Sequence, residues 1–489
     1  MAGFVQERQG QRKRRVVIIG GGITGLAAAY HIHRRSATEN LQLDLLLLEA
    51  SARFGGVIQT ERRDCFLLET GPDSFISEKP EALTLVSELG LTTRLIETNQ
   101  WHRSSFIVHA GKLHAVPEGF QLLAPTRLWP FITSDIFSLV GKARIALDLI
   151  LPRHQANNGD ESLAQFVRRR FGREALERIA QPMIGGIYTA DLEHLSLRAT
   201  MPRFLEMERA HRSVILAMRK ARRKAAANDR KEATRGVSGA RYGLFLSFDE
   251  GMQTLIDALQ AALPEDTLRP NARVEALTFN EQLWNIRLNG NETVYADAVC
   301  LALPAYAAAD LLRGTNASLA NELNAIPYAS TATVNLAYKR ADIPHALDGF
   351  GFVVPFIEGR ATLACTFSSV KFARRAPAEC VLLRAFVGGA LQPEMFALDE
   401  EEMIAYVRRD LHDLLGITSA PRFAQVTKWP RSMAQYHTGH IERVKNIRRQ
   451  LSAYPQLALA GNAYEGVGLS DTIRSGRNAA ESLLVALRD

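Results

Sequence analysis

Short apolar runs and a glycine-rich turn alternate at the start of the chain. Residues 16–19 (VVII) form an uncharged run typical of a buried parallel strand, and GGGITG follows it directly. The apolar stretch LAAAYHIH then predicts a helix, and a second apolar run, LQLDLLLLEA, reaches Glu49. The order strand, tight turn, helix, strand predicts a βαβ unit.

The pattern changes in the middle of the chain and returns to βα character at the end. Residues 117–152 and the block SLAQFVRRRFGREALERIAQPMI are helix-prone, and residues 211–240 indicate a basic helix that fades into a loop. RVEALTFN and LWNIRLNG predict a hairpin, and the runs within 331–389 predict an antiparallel sheet. The last segment, LALAGNAYEGVGLSDTIRSGRNAAESLLVAL, indicates strand, glycine loop and helix, with Ser470 or Asp471 as the helix N-cap.

The first glycine turn carries the chemistry of a dinucleotide site. Gly20, Gly22 and Gly25 fit G-x-G-x-x-G after a strand and before a helix, where Gly22 lets backbone N–H groups approach a pyrophosphate. The helix N-terminus adds partial positive charge. Glu49 ends the next strand, where a carboxylate accepts hydrogen bonds from ribose. The alternative is a glycine turn without a ligand.

Two further loops favour FAD over NAD. Arg53, Gly55 and Gly56 combine a cation with paired glycines that allow close backbone approach to a phosphate or ribityl chain. At the other end of the chain, GNAYEGVGLSD opens the last helix, whose N-terminus favours an anionic reduced flavin. No cysteine lies in these loops, so the flavin is expected to be non-covalent.

Composition narrows the class of protein. The chain has 489 residues and a formal charge of +7, with basic residues clustered at 12–15 and 219–241. No aromatic interleaving accompanies them, so nucleic acid is not an expected partner. Four scattered cysteines suit a reduced, cytoplasmic compartment. No apolar stretch is long enough to span a bilayer, and no metal site is predicted.

Several motifs together resemble a known family. VVIIGGGITGLAAAYHI, LLEASARFGGVIQT, LETGPDSF and LALAGNAYEGVGLSDTIRSGRNAAESL resemble the flavin-dependent porphyrinogen oxidases of haem synthesis, within a superfamily that includes monoamine oxidases and carotenoid desaturases. GGIYTADLEHLSLRATMP and GLFLSFDEGMQTL are similar to the narrower porphyrinogen-oxidase group. The resemblance covers nearly the whole chain and is weakest in residues 211–240.

The resemblance implies an architecture. We expect an α/β protein with a discontinuous Rossmann-like FAD-binding domain, an inserted α+β substrate domain and a helical region. The FAD-binding domain is assigned to residues 1–90, 245–325 and 430–489, and the substrate-binding domain to 91–117 and 326–429. Residues 118–244 form the helical region, where Trp129, Pro130, Phe131 and Ile132 are either core or a shallow membrane contact.

The resemblance also implies site residues. The expected cofactor contacts are Gly20, Gly22, Ile23, Thr24, Gly25, Glu49, Ala50, Arg53, Gly55, Gly56, Val274, Trp429, Gly461, Val467, Gly468, Leu469, Ser470 and Asp471. The expected substrate contacts are Gly186, Phe352, Val353, Thr366 and Phe386, with core packing as the alternative for each. Some family members pair a substrate propionate with an arginine where this chain has Ser105, and whether Arg103 replaces it stays open.

The implied reaction is a six-electron oxidation of a porphyrinogen to a porphyrin, with catalysis by the flavin and with oxygen or a membrane quinone as acceptor. Protoporphyrinogen IX is slightly preferred and coproporphyrinogen III is the alternative. A flavin amine oxidase or desaturase, or a flavin-free binding protein on the same fold, are the rival classes. The expected location is cytoplasmic, with peripheral contact to the membrane left open, and a dimer is one of the open oligomeric states.

Overall fold

The structure is a computed structural model, and it describes residues 13–102, 104–117, 119–121, 124–153, 159–228 and 245–488. Its strands in chain order are β1 Arg14–Ile19, β2 Leu43–Leu48, β3 Thr60–Arg63, β4 Phe66–Glu69, β5 Phe75–Ile76, β6 Leu95–Glu97, β7 Ser104–His109, β8 Lys112–Ala115, β9 Phe120–Gln121, β10 Ala124–Pro125, β11 Phe245–Phe248, β12 Leu268–Arg269, β13 Val274–Asn280, β14 Leu283–Leu288, β15 Thr293–Ala296, β16 Ala298–Leu301, β17 Tyr328–Lys339, β18 Gly349–Val353, β19 Thr362–Phe367, β20 Cys380–Gly388, β21 Phe423–Ala434 and β22 Leu457–Leu459.

The α-helices are α1 Ile23–Glu39, α2 Pro80–Glu88, α3 Leu128–Thr133, α4 Leu139–Ala146, α5 Leu163–Arg170, α6 Arg173–Ala175, α7 Gly186–Tyr188, α8 Leu197–Thr200, α9 Pro202–His211, α10 Val214–Asn228, α11 Gln253–Ala261, α12 Ala305–Leu312, α13 Ala317–Asn324, α14 Ser368–Lys371, α15 Pro393–Ala397, α16 Glu400–Leu415, α17 His440–Leu451 and α18 Leu469–Ala486. A π-helix, Leu176–Gly185, lies between α6 and α7.

A five-stranded parallel sheet joins distant parts of the chain. Its order is β12-β2-β1-β16-β22, so strands from residues 14–48, 268–301 and 457–459 lie side by side. The central strands are apolar on both faces because other elements of the fold cover both. α1, α11 and α18 bury one face, while α12, α13 and the β13–β15 sheet cover the other. The predicted opening βαβ unit and the predicted β13–β14 hairpin are both present.

A seven-stranded sheet is the second large sheet of the structure. Its order is β21-β17-β20-β19-β18-β7-β8, and every neighbouring pair is antiparallel except β18 and β7. The antiparallel sheet expected within residues 331–389 is therefore present and is extended on both sides. One face packs against α16 and the segment before it, through alternate residues such as Val334, Leu383 and Phe352. The other face is more polar, and its side chains contact residues 69–71.

The helical region has its own apolar core, and Phe131 of the aromatic cluster at 129–132 belongs to this core and not to a membrane contact. The aromatic cluster divides: Phe131 is 4% exposed and packs on Phe120 and Phe137, with ring centroids 6.5 and 5.6 Å away, whereas Trp129 is 73% exposed. Phe131 is therefore core. Arg170 is fully buried and its Nε donates to Asp148 Oδ1 at 2.6 Å. No helix of the described ranges has the length and apolarity to cross a membrane.

The start of the last helix differs from the expectation. Gly468 is the N-cap of α18, with extended backbone angles and no side-chain cap, so Ser470 and Asp471 lie inside the first turn. The Asp471 carboxylate does not cap the helix because it is held by Lys79 and Arg474 instead. The prediction of Ser470 or Asp471 as N-cap was wrong by two to three residues.

Candidate active site

The first glycine turn leaves an open gap where the sequence predicts a pyrophosphate. Gly20 has φ +108°, and a Cβ on Gly25 would lie 1.9 Å from the Gly20 carbonyl oxygen, so these two glycines are needed for the turn itself. Gly22 is different: a Cβ there would meet nothing nearer than the Gly56 Cα at 4.0 Å. Gly22 also forms a bridge to Gly55. Glycine at 22 and 56 therefore keeps free a space that the fold itself does not fill.

A cleft continues from this turn along the carboxyl ends of β1 and β2. It measures about 320 Å³ and its walls include Glu49, Ala50 and Val274. Glu49 Oε2 accepts from the Gly21 N–H at 2.7 Å, and its Oε1 accepts from the Ser51 N–H at 2.8 Å, so the carboxylate is fixed at the cleft. A fixed carboxylate beside a cleft of this size suits the ribose and base of a dinucleotide.

The loop with Arg53 is held together by its own cation. The Arg53 guanidinium donates to the carbonyl groups of Phe54 at 3.0 Å and Ile58 at 3.1 Å, and to that of Gly56. Gly55 and Gly56 have φ values of +109° and +58°. Partial burial lowers the pKa of Arg53, although Glu49 and Glu61 oppose this effect. Arg53 thus shapes the loop that faces Gly22.

The two ends of the chain meet where the first turn of α1 crosses the middle of α18. A Cβ on Gly476 would lie 2.2 Å from the Thr24 carbonyl oxygen, so the two helices cross in direct backbone contact. Gly461 has φ +135° and its N–H donates to Ser475 Oγ at 3.0 Å. Ile23, Val467 and Leu469 lie in the same loops and first turns. The predicted halves of the flavin site are therefore brought together.

The polar face of the seven-stranded sheet holds one extended segment, residues 69–71. Four side chains donate to three consecutive carbonyl groups: Asn335 Nδ2 to Glu69 O at 3.4 Å, Thr333 Oγ1 to Thr70 O at 3.1 Å, Trp429 Nε1 to Thr70 O at 2.8 Å, and Arg384 Nη2 to Gly71 O. Of these donors, sequence reasoning identified Trp429 alone. The other three stand on β17 and β20, far from residues 69–71 along the chain, so no local pattern signals the contact.

The predicted substrate contacts mostly share this face. Val353 packs toward the helical region, whereas Phe352 is 2% exposed and lies in the core beside α16. Thr366 and Phe386 alternate with residues of that same core, which puts them on the face of Val353. Ser105 is buried and alternates with the core residue Phe106, so it shares the face too.

Gly186 and Arg103 complete the predicted substrate set. Gly186 begins α7 directly after the π-helix, and a Cβ there would meet no atom within 4 Å. π-Helical segments are rare and often lie at functional sites. Arg103 lies outside the described residues.

A group of charged side chains around residues 69–73 was not predicted from the sequence. Lys371 Nζ lies 2.9 Å from Asp73 Oδ2. Burial would raise the pKa of Asp73, but Lys371 and Arg384 outweigh it and hold that pKa well below its usual value. Burial raises the pKa of Glu69, despite hydrogen bonds from the Met252 N–H and Thr60 Oγ1.

Comparisons with known proteins agree with this geometry. Residues 23–484 match the family described as flavin containing amine oxidoreductase. The chain is 37% identical to the coproporphyrinogen III oxidase of Bacillus subtilis (strain 168), over 97% of this chain and 99% of that protein. It is 26% identical to protoporphyrinogen oxidase 2 of Arabidopsis thaliana, over 96% of this chain and 94% of that protein.

A crystal structure from Exiguobacterium sp. 255-15, assigned as a protoporphyrinogen oxidase, superposes with a TM-score of 0.85 at 30% identity and covers 98% of this chain and 100% of its own. The chain belongs to the flavin-containing amine oxidoreductase family. It is an FAD-dependent oxidase, and the resemblance to porphyrinogen oxidases drawn from its motifs is confirmed.

Proposed function

We propose that the protein oxidises a porphyrinogen to the corresponding porphyrin in haem biosynthesis, with coproporphyrinogen III as its substrate. Three relatives named coproporphyrinogen III oxidase are 34–37% identical to this chain, whereas the relatives named protoporphyrinogen oxidase are 26–30% identical. Protoporphyrinogen IX, the substrate slightly preferred on the sequence alone, is therefore the second candidate. The observation that carries the proposal is the sheet face shared by Thr366 and Phe386, on which Thr333 and Arg384 hold residues 70 and 71 beside the Gly55–Gly56 loop.

The cofactor contacts follow from the two loops. Gly20, Gly22, Gly25 and the Gly55–Gly56 turn would hold the pyrophosphate, because they leave the gap between Gly22 and Gly56 open. Glu49, Ala50 and Val274 would hold the ribose and adenine in the adjoining cleft. At the flavin end, the contacts would be Gly461, Trp429 and the loop and first helical turn formed by Val467, Gly468, Leu469, Ser470 and Asp471. When bound, FAD supplies the two-electron chemistry, so three oxidation cycles complete one porphyrin.

The chain's own residues would bind and orient the substrate. Val353, Thr366 and Phe386 form a mixed apolar and polar surface on which a tetrapyrrole ring can lie. Glycine at 186 leaves open space, because a Cβ there would meet no atom within 4 Å. Phe352 faces the core and is left out of this surface. Positioning of a reacting C–H bond and exclusion of water are the contributions we assign to this surface.

The propionate groups need cations, and the family arginine is replaced by Ser105. We propose that anchoring is shared or relocated rather than taken over by Arg103 alone. Arg103 precedes Ser105 by two positions in the sequence, so it would not meet a carboxylate in the geometry that an arginine at position 105 offers. Ser105→Arg would then tighten substrate binding.

Peripheral membrane contact is proposed for the helical region. Trp129, Ile132, Leu139 and Val140 are all exposed, and Leu139 is 83% exposed. Lys142, one turn further along α4, donates to the Ile132 carbonyl at 2.6 Å and so keeps a cation beside these apolar side chains. An exposed apolar patch beside cations suits the surface of an anionic bilayer.

An aerobic assay with both porphyrinogens tests the proposal, with porphyrin fluorescence as the readout and oxygen as the acceptor. The proposal expects both to be oxidised, with the higher kcat/KM for coproporphyrinogen III. A yellow holoenzyme that oxidises neither compound, but does oxidise an amine, would overturn it in favour of the amine oxidase class.

A further inference from the structure

A cluster of charges lies buried behind residues 69–73. We define the buried charge cluster as Glu69, Asp73, Lys371, Arg375 and Arg384; four of them are buried, and the Asp73 side chain is 19% exposed. It holds three cations and two carboxylates, so positive charge is in excess even when both acids are ionised. Asp249 lies nearby but is engaged by the surface residue Arg94 at 2.9 Å.

The three cations are not equally neutralised. Lys371 contacts both carboxylate oxygens of Asp73, at 3.1 and 2.9 Å. Arg375 donates to Ser247 Oγ at 2.8 Å and to the Phe248 carbonyl at 2.9 Å. Lys371 is thus the cation that Asp73 neutralises directly.

Arg384 has the fewest hydrogen-bond acceptors of the three cations. It is 4% exposed, its bonded acceptor is the neutral carbonyl of Gly71, and its Nε has no hydrogen-bond partner. Its guanidinium stacks 4.8 Å from the centre of the Phe386 ring. Within the described residues it forms no ion pair with a carboxylate. A buried cation without a paired anion is costly, and a negative charge that arises nearby would offset that cost.

The position of Arg384 indicates where that negative charge arises. The carbonyl that Arg384 holds belongs to Gly71, and a Cβ on Gly71 would lie 1.7 Å from the Val57 carbonyl oxygen. Val57 directly follows the Gly55–Gly56 turn, and Trp429 holds the neighbouring Thr70. Arg384 therefore lies behind a segment that packs on the loop assigned to the pyrophosphate and is held by Trp429, a residue assigned to the flavin end. The inference rests on that proposed cofactor site, although it does not depend on which porphyrinogen is used.

We infer that Arg384 is a positioning residue whose charge favours the reduced flavin. Reduction of the neutral oxidised ring takes up two electrons and one proton and leaves one negative charge on the ring. A fixed cation in a water-poor surrounding stabilises that anion relative to the neutral ring. Burial lowers the pKa of Arg384, with Asp73 and Glu69 only partly opposing this, yet a guanidinium stays protonated at neutral pH.

The test is the midpoint potential of the flavin in the FAD-loaded enzyme, measured by spectroelectrochemistry without any porphyrinogen. Arg384→Gln keeps an N–H donor for the Gly71 carbonyl and removes the charge, and we expect a more negative potential. Arg384→Lys restores the charge and is expected to restore a near-native potential. Thr333→Val removes an uncharged hydrogen bond to the same segment and is the matched control, expected to leave the potential unchanged.

Asp73→Asn supplies an independent arm if the Arg384 variants fail to fold. It removes a negative charge from the same cluster, so the potential is expected to become more positive. The inference is overturned if Arg384→Gln and Asp73→Asn both keep the native potential with full flavin content, or if Arg384→Lys shifts it as much as Arg384→Gln does. Failure of the porphyrinogen assignment would leave these potentials unaffected, because the substrate takes no part in the measurement.

Discussion

Replacement of Gly22 by valine separates the fold of the nucleotide loop from its binding role. The backbone at Gly22 has φ −70° and ψ 178°, an extended conformation that valine adopts readily. The nearest atom to a Cβ there is the Gly56 Cα at 4.0 Å. We therefore expect Gly22→Val to fold, at a cost of about 1 kcal/mol for a less favourable N-cap residue.

The same side chain should abolish FAD binding. The gap between Gly22 and Gly56 is the space assigned to the pyrophosphate, and the valine methyl groups would occupy it. Free ligand at about 1,000 times its Kd stabilises a folded protein by about 4.1 kcal/mol. Added FAD should therefore raise the melting temperature of the native apoprotein and leave that of Gly22→Val unchanged.

Gly25→Ala is the contrasting variant. Its Cβ would lie 1.9 Å from the Gly20 carbonyl oxygen, so this substitution should destabilise the fold whether or not FAD is present. The assay is thermal unfolding of apoprotein with and without FAD, together with flavin content after purification. Full flavin occupancy in a folded Gly22→Val protein would show that the loop has been assigned wrongly.

Three further results are expected. The double variant Trp129→Ser with Leu139→Ser should sediment less with anionic liposomes, and unchanged liposome binding would argue against the membrane contact. Phe131→Ser should instead lower the free energy of unfolding by about 3–5 kcal/mol, because Phe131 is core. Arg103→Ala should lower kcat/KM less than tenfold, and a larger loss with unchanged flavin content would identify Arg103 as the anchor. The pKa of Asp73 is lowered in the folded state, so the ionised carboxylate stabilises the fold above its ordinary pKa of 3.8, and this stabilisation is lost as the pH falls. Asp73→Asn should therefore reduce stability to urea at neutral pH, by an amount that shrinks in acid. A difference in stability that is independent of pH would refute this.

Local patterns predicted the parts of the fold that are locally determined. The opening βαβ unit, the β13–β14 hairpin and the final strand–loop–helix each carry an apolar period and glycine signals within a short stretch. The division of the aromatic cluster did not follow from composition, because Trp129 and Phe131 lie two residues apart on α3 and point to different surroundings.

Contacts across the chain were not predictable from the sequence. The residues Lys371 and Asp73 are 298 positions apart, and Arg384 and Gly71 are 313 apart, so no local spacing indicates either pairing. The start of α18 at Leu469 was also not predicted. The Asp471 carboxylate, which suggested a helix cap, instead pairs with Arg474 on α18 and with Lys79 just before α2.

The central claim is that a porphyrinogen gives its electrons directly to enzyme-bound FAD. Oxidised holoenzyme should be mixed with coproporphyrinogen III in the strict absence of oxygen, and flavin absorbance and porphyrin absorbance should be followed together. The account predicts loss of the oxidised flavin band with about three flavins reduced for each porphyrin formed. The account would be contradicted if the flavin stayed oxidised with coproporphyrinogen III and protoporphyrinogen IX also failed to reduce it.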